Sequence, residues 1–233
     1  MLLQDGKFLK ILTYILNIET ATKNCSVALG KDDTVMDVIE YTGEGYSHAE
    51  KLHVFIQEIL QKNQLKAKQL DAVAVSKGPG SYTGLRIGVS AAKGLAYTLG
   101  IPLIGISTLQ SLAKKVKIKD GYIIPLIDAR RMEVYSAVYN HDHQLVRAVQ
   151  ADLLEENPFQ NYLDQKPVFF IGDATEKTKK ITIHPHAHFI NEVYPSAKEV
   201  HKLAFQKFLN QSFEDTAYFE PFYLKDFIVT RKK

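Results

Sequence analysis

The chain has 233 residues, of which 45% are hydrophobic, and its 29 basic and 26 acidic side chains give a formal net charge of +3. This content can fill one large core or two modest ones, and the even spread of charge argues against a protein that grips nucleic acid through one strongly basic face. Cys25 is the only cysteine, which excludes an internal disulfide and a cysteine-based zinc site and is typical of a reducing cytoplasm.

The first residues give no clear secondary-structure signal. Residues 1–13 mix polar and apolar side chains without a period, and two interpretations stay open: a disordered leader, or a true start of the protein further along the sequence. The apolar stretch Ile11 to Ile18 is interrupted by Thr13 and Asn17. We therefore expect neither an export signal nor a membrane span, and we predict a cytoplasmic protein.

Three short strands open the folded part of the chain. They are predicted at Tyr14–Glu19, Ser26–Gly30 and Val35–Tyr41, joined by polar turns, which indicates an antiparallel meander. A helix should follow, with Ser47 as its N-cap and Glu50 three residues later. Its apolar residues recur at helical spacing: Leu52, Phe55, Ile56, Ile59 and Leu60.

A glycine-rich turn then separates a buried strand from a second helix. The strand is predicted at Asp71–Lys77, the turn at Gly78–Ser81 and the helix over residues 83–99, before another strand at Ile101–Ile106. Free backbone N–H groups and the helix dipole can bind an anion in such a turn. The spacing matches neither a P-loop nor a dinucleotide fingerprint, so phosphate contact and a tight packing turn both remain open.

A stripe of small residues runs along this second helix, at Gly84, Gly88, Ala92 and Ala96. Four-residue spacing places them on one side of the helix, where another backbone can approach closely. The helix also carries bulky apolar residues on other sides and is expected to be buried on two of them. Packing within the chain and a subunit interface are both open, and the family resemblance below favours the interface.

The second half repeats the opening pattern. Strands are predicted at Tyr122–Asp128, Glu133–Asn140 and His143–Val149, followed by a strand at Val168–Gly172, a short strand near Phe189 and a helix over residues 196–209. A break in the pattern near Ser107 predicts two lobes, residues 1–107 and residues 108–233.

The chain shows no recognisable catalytic or metal-binding set. The turn from Asp128 to Glu133 has two carboxylates around two arginines, which predicts salt bridges across a hairpin. His48 and His53 are five residues apart on the first helix and cannot bind one metal together. The alternating residues His184, His186 and His188 are interpreted as a surface strand, and no hydrolytic triad or nucleophile elbow is present.

Five segments taken together resemble the TsaB family, the non-catalytic subunits of the bacterial machinery that makes threonylcarbamoyladenosine in tRNA, related to the glycoprotease-like TsaD family. Each segment is weak evidence alone, but the set spans most of the chain. The segments are Ile18 to Thr22, Ser47 to Leu52, Ser76 to Gly88, Asp128 to Tyr135 and Tyr223 to Phe227.

The resemblance implies an α/β fold with two lobes of the actin, sugar-kinase and Hsp70 type, in which mixed sheets are flanked by helices and the second lobe is degenerate. It implies a catalytic paralogue, TsaD, docked through the first lobe, an ATPase subunit, TsaE, and indirect contact with tRNA. The chain alone would form a homodimer and require no cofactor of its own. The implied partner interface comprises Leu52, Phe55, Ile56, Ile59, Leu60, Gly84, Gly88, Ala92 and Ala96.

Departures from the catalytic paralogue predict a subunit without an active site. Leu52 stands where that enzyme has the second histidine of a metal pair, and Ala129, Arg130 and Arg131 replace the phosphate-binding glycines of nucleotide-hydrolysing relatives. A nucleotide at the subunit interface stays open. The alternative function is an active nucleotide-binding phosphotransferase or hydrolase of this fold. The phosphates of its nucleotide would contact Thr20, Gly78, Gly80, Ser81 and Asp128. A peptidase and a direct tRNA-binding module are weaker rivals.

Overall fold

The computed structural model describes residues 3–4, 7–8, 12–43 and 48–225. The predicted N-cap Ser47 and most of the predicted leader lie outside these residues, although within the leader β1 (Leu3–Gln4) pairs antiparallel with β2 (Lys7–Phe8). Among the described helices, none is long and apolar enough to cross a membrane.

The first sheet contains five strands in the order β5-β4-β3-β6-β7. β3, β4 and β5 form the predicted antiparallel meander, and β6 and β7 extend it in parallel on the other side of β3. The strands are β3 (Tyr14–Glu19), β4 (Asn24–Lys31), β5 (Thr34–Thr42), β6 (Ala72–Gly78) and β7 (Leu103–Ser107).

Helices cover both faces of this sheet. The side chains on both faces of its central strand β3 are therefore buried. On one face, α1 (His48–Lys62) and α2 (Tyr82–Leu99) pack over Leu16 and Ile18. On the other face, α6 (Ala197–Leu209) packs Val200 against Ile15.

A close contact between His201 of α6 and the backbone of β4 holds α6 against the sheet. Gly30 allows the ring of His201 to lie against the backbone of β4, where a Cβ atom on residue 30 would be 1.9 Å from the ring. The His201 Nδ1 atom also lies 3.2 Å from the Asn17 Nδ2 atom. Burial lowers the pKa of His201, so the neutral imidazole is favoured in this contact.

The second sheet repeats the order of the first, as β10-β9-β8-β11-β12. Its first three strands are again an antiparallel meander, and its last two are parallel. This repetition confirms the predicted α/β fold with two mixed sheets. The strands are β8 (Tyr122–Asp128), β9 (Glu133–Asn140), β10 (Leu145–Leu153), β11 (Val168–Gly172) and β12 (Ala187–Ile190).

Three helices complete the second half. α3 (Thr108–Ala113) directly follows the first sheet and contacts β8, β9 and also α6. α4 (Gln160–Leu163) and α5 (Thr175–Lys179) are short and were not predicted from the sequence. The predicted lobe boundary falls between β7 and α3, and it stays a prediction.

A largely buried ion pair between Arg147 and Asp152 lies within strand β10 and contacts Ser136 of β9. The Arg147 guanidinium donates to both Asp152 oxygens, at 3.0 Å from Nη1 to Oδ1 and 2.6 Å from Nη2 to Oδ2. The Ser136 hydroxyl donates to the same carboxylate. The guanidinium also lies 5.6 Å from the centroid of the Phe159 ring, so the pair is enclosed by polar and aromatic groups.

The C-terminal segment, residues 213–225, returns from α6 to the first sheet and reaches the second. Phe219 is buried in the core beneath α2, and the Phe222 N–H donates to the Lys77 carbonyl at 2.7 Å. Beyond this contact, Lys225 forms an ion pair with Glu133 at the start of β9. The segment therefore contacts both sheets.

Candidate functional site

The glycine turn, Gly78–Ser81, lies against the turn between β3 and β4, which contains Ala21. The Ser81 N–H donates to the Ala21 carbonyl at 2.7 Å, and the Ser81 hydroxyl accepts from the Gly84 N–H at 3.2 Å, which caps α2. Two donors at the start of this helix are therefore satisfied within the chain.

The glycines of the turn and of α2 are needed because backbone from distant segments occupies the space beside them. A Cβ atom would lie 2.4 Å from the Ala21 carbonyl oxygen at Gly80 and 2.7 Å from the Phe222 carbonyl oxygen at Gly78. At Gly78 the φ angle of 114° also favours glycine. The tight-turn interpretation accounts for these glycines, and phosphate contact at the turn stays a prediction.

Thr20 belongs to this cluster as a packing residue. Its hydroxyl donates to the Gly84 carbonyl at 2.8 Å, and a Cβ atom on Gly88 would lie 2.2 Å from the same hydroxyl oxygen. Protein contacts therefore join Thr20 to the start of α2, and its predicted contact with a phosphate stays a prediction. Asp128 is not joined to them, because its contacts are with residues of the second half.

Glu19, next to Thr20, is a buried carboxyl group whose environment the sequence did not reveal. Its side chain is fully buried and accepts from the Ala21 N–H at 2.6 Å and from the Ser76 hydroxyl. Burial raises the pKa of Glu19 to about 7, although these hydrogen bonds and the charge of Lys115 favour the carboxylate. The available signal was a carboxylate at the end of a mostly apolar strand.

In the turn between β8 and β9, the charged residues Asp128 to Glu133 have other partners than predicted. Asp128 accepts from the Lys177 ammonium at 2.7 Å, and Glu133 pairs with Lys225. Arg130 and Arg131, which the prediction paired with these carboxylates, are exposed and have φ angles of 66° and 50°. The predicted salt bridges within the hairpin are wrong because lysines of later segments reach the carboxylates instead.

Asp173 supports this turn from a neighbouring strand end. Its Oδ1 atom accepts from the Asp128 N–H at 2.9 Å. Burial raises the pKa of Asp173 to about 6, and the nearby charge of Asp128 acts in the same direction. The pair stabilises the turn conformation, and the Asp128 side chain is directed to a lysine of α5.

The predicted partner-interface residues mostly face their own sheet. On α1, Phe55 is half-buried and the other four are buried. On α2, all four small residues are buried, and Thr20 lies against the first two. These buried side chains pack within the chain itself, and their assignment to a subunit interface stays a prediction: Leu52, Ile56, Ile59, Leu60, Gly84, Gly88, Ala92 and Ala96.

The outward face of α1 and α2 nevertheless carries apolar and small residues. Val54 is 56% exposed and Tyr97 is 83% exposed, while Ile87 and Leu95 are half-buried beside the core. Gly94 has no atom within 4 Å of the position where a Cβ would lie. We call this surface, defined by Val54, Phe55, Ile87, Ala91, Gly94, Leu95 and Tyr97, the helix-pair face.

The three alternating histidines, His184, His186 and His188, each contact another residue of the chain. His184 lies 3.8 Å from Asp164, the His186 Nδ1 atom lies 2.8 Å from the Leu163 carbonyl, and His188 stacks on Phe169. Within residues 12–43 and 48–225, no group of three histidine, cysteine or acidic residues is placed to hold a metal ion.

Known proteins resemble this chain over most of its length. Residues 45–233 match the family described as TsaD: tRNA N6-adenosine threonylcarbamoyltransferase. The tRNA threonylcarbamoyladenosine biosynthesis protein TsaB of Bacillus subtilis is 34% identical over 173 residues, 72% of this chain and 74% of that protein. Its namesake in Escherichia coli is 41% identical over 130 residues, 55% of each chain. The solved structure of YeaZ from Pseudomonas aeruginosa has a TM-score of 0.80 at 25% identity, covering 91% of this chain and 100% of that one.

Proposed function

Because this chain belongs to the TsaB family of tRNA threonylcarbamoyladenosine biosynthesis proteins, we propose that it is the non-catalytic subunit that binds and supports a TsaD-like catalytic paralogue. The chain therefore serves the synthesis of threonylcarbamoyladenosine in tRNA. Its contribution is a protein surface, and the reaction is carried out by the partner.

The interior contacts of the first lobe support a role without chemistry. The Ser81 N–H donates to the Ala21 carbonyl, and Ala21 also fills the space beside Gly80, so this donor is not available to a phosphate. Leu52, at the position of the second metal-binding histidine of the paralogue, is fully buried in the core. An active nucleotide-dependent enzyme would require these contacts to open.

The observation that carries the proposal is the helix-pair face. A monomer that leaves Val54 and Tyr97 exposed, with an open space at Gly94, presents an apolar surface that another helix can cover. A paralogue of the same fold would present the equivalent pair of helices. Two such pairs can pack as a four-helix seam around an approximate two-fold axis.

The same surface predicts how the chain assembles. In the absence of the paralogue, a second copy of this chain would cover the helix-pair face and form a homodimer. A TsaE-like ATPase would join the heterodimer, and tRNA would be bound mainly by the catalytic subunit. The proposal assigns no required cofactor to this chain and leaves any nucleotide to the subunit interface.

The test is heterodimer formation with the catalytic paralogue of the same organism, measured by size-exclusion chromatography with light scattering. Gly94→Leu and Val54→Glu should abolish the heterodimer, because the leucine fills the space left for a partner helix and the glutamate places a charge in the apolar seam. The matched control is Gln206→Leu, which adds the same side chain at an exposed position of α6, on the opposite face of the first sheet.

Loss of binding in the two variants but not in the control, with unchanged circular dichroism, would support the helix-pair face as the docking surface. Normal binding by Gly94→Leu and Val54→Glu would refute it. Tight ATP binding by the isolated wild-type chain in calorimetry would favour the alternative of a nucleotide-dependent enzyme.

A further inference from the structure

Lysine side chains gather where the segment after α3 meets the first turns of α6. Lys115 lies 3.5 Å from Glu199 of α6, which fixes how the two segments approach each other. Lys114 and Lys202 also lie near enough for their charges to interact. We call the following residues the lysine face: Lys114, Lys117, Lys119, Lys198 and Lys202.

The chain between α3 and β8 is anchored so that its lysines point outward. Val116 is buried and Ile118 half-buried in the same apolar cluster as α3. The His143 Nε2 atom lies 2.9 Å from the Val116 carbonyl and holds the segment to the second sheet. Lys117 and Lys119 alternate with these anchors and are exposed.

The lysine face holds positive charges without compensating carboxylates. Burial, and then the charge of Lys202, lower the pKa of Lys114. Lys198 and Lys202 are also four residues apart on α6, a spacing at which like charges face and repel each other. Within the described residues, none of the five lysines forms an ion pair, and the adjacent Asp120 is engaged by Lys166 at 2.7 Å.

We propose that the lysine face binds the phosphate backbone of tRNA. The proposal rests on the proposed function, since a tRNA is the macromolecular substrate of that pathway. Lysine ammonium groups are point charges that suit phosphates of any sequence, so the face would position the tRNA and leave base recognition to the partner.

The position of the face is compatible with the heterodimer. α6 covers one side of the first sheet, whereas the helix-pair face is formed by α1 and α2 on the other side. A catalytic partner docked on the helix-pair face would leave the lysines accessible. The chain would then contact the partner with one surface and the RNA with another.

The experiment measures binding of an unmodified tRNA transcript by fluorescence anisotropy at 50–200 mM salt, for the heterodimer and for the full chain alone. The test variants are the double substitutions Lys117→Glu/Lys119→Glu and Lys198→Glu/Lys202→Glu. The matched control, Lys179→Glu/Lys180→Glu, makes the same charge change at two exposed lysines at the end of α5, outside the lysine face.

Each phosphate contact contributes about 0.7–0.9 to the slope of log affinity against log salt. Each test variant should therefore bind about tenfold more weakly and lower the slope by about 1.4–1.8, whereas the control should match the wild type. Equal binding by the wild type and both test variants, or an equal loss in the control, would overturn the proposal.

Light scattering on the same samples separates this proposal from the proposed function. A heterodimer that forms normally in both test variants but binds tRNA weakly supports the lysine face. If no heterodimer forms with wild-type protein, the docking proposal fails, while the salt slopes of the full chain alone still decide whether the lysines contact RNA.

Discussion

Replacing the buried Glu19 by glutamine should stabilise the protein, and by an amount that depends on pH. Glutamine keeps the shape of the side chain and can still accept from the Ala21 N–H, while its amide donates to the Ser76 hydroxyl. The substitution removes only the group that must ionise in a buried site.

The size of the effect follows from the pKa of Glu19, which is about 7 in the folded protein against an ordinary value of 4.5. Between these two pH values the folded chain keeps a proton that the unfolded chain has released, so the free energy of unfolding falls as pH rises. Below pH 4.5 both states are protonated and the penalty is absent. Above pH 7 it is complete, at about 3 kcal/mol.

Urea denaturation of wild type and Glu19→Gln, followed by circular dichroism at several values between pH 4.5 and pH 8, measures this difference. The two proteins should differ little at pH 4.5, and the variant should be about 3 kcal/mol more stable at pH 8. Ser76→Ala should extend the fall in stability to higher pH and enlarge it, because the serine donor favours the carboxylate and its loss raises the pKa of Glu19 further. A gap between wild type and Glu19→Gln that is the same at every pH would refute the reasoning.

Three further substitutions test the packing. Gly88→Ala should destabilise the protein by about 1–3 kcal/mol in urea unfolding, because its Cβ would lie 2.2 Å from the Thr20 hydroxyl oxygen; an unchanged midpoint would contradict this contact. Gly94→Ala should instead stabilise by up to about 1 kcal/mol, since the added methyl meets no atom within 4 Å and alanine favours the helix; a loss of stability would show that the site is not open. Asp152→Ala should cost about 3–5 kcal/mol by leaving Arg147 buried and unpaired, whereas a loss below 1 kcal/mol would mean that water reaches the guanidinium.

The sequence predicted the sheets well because their signal is local. Strands β3 and β8 begin and end at the predicted residues, since apolar side chains fill each of them between polar turns. The meander at the start of each half could be inferred from short turns alone. The parallel strands and the three long helices α1, α2 and α6 followed from the same patterns, whereas the short helices α3, α4 and α5 were not predicted.

The residues that pack against each predicted helix or turn could not be predicted, because they come from distant parts of the chain. Four-residue spacing identified the small stripe on α2, but only the fold shows that Thr20, 64 residues before Gly84, lies against it. The glycine turn was likewise recognised from its sequence, while the segment that fills it, around Phe222, was not. Charge gave a similar result, since an overall balance concealed the lysines that the fold gathers beside α6.

The return of α6 to the first sheet has a consequence for synthesis on the ribosome. The first sheet is complete in sequence at Ser107, yet its face around Ile15 and Ile104 is covered only when residues 197–209 have emerged. At typical translation rates, the roughly 100 intervening residues take about 5–20 s. During that interval the nascent chain exposes an apolar sheet face, so we expect chaperones to engage this protein between the appearance of β7 and that of α6.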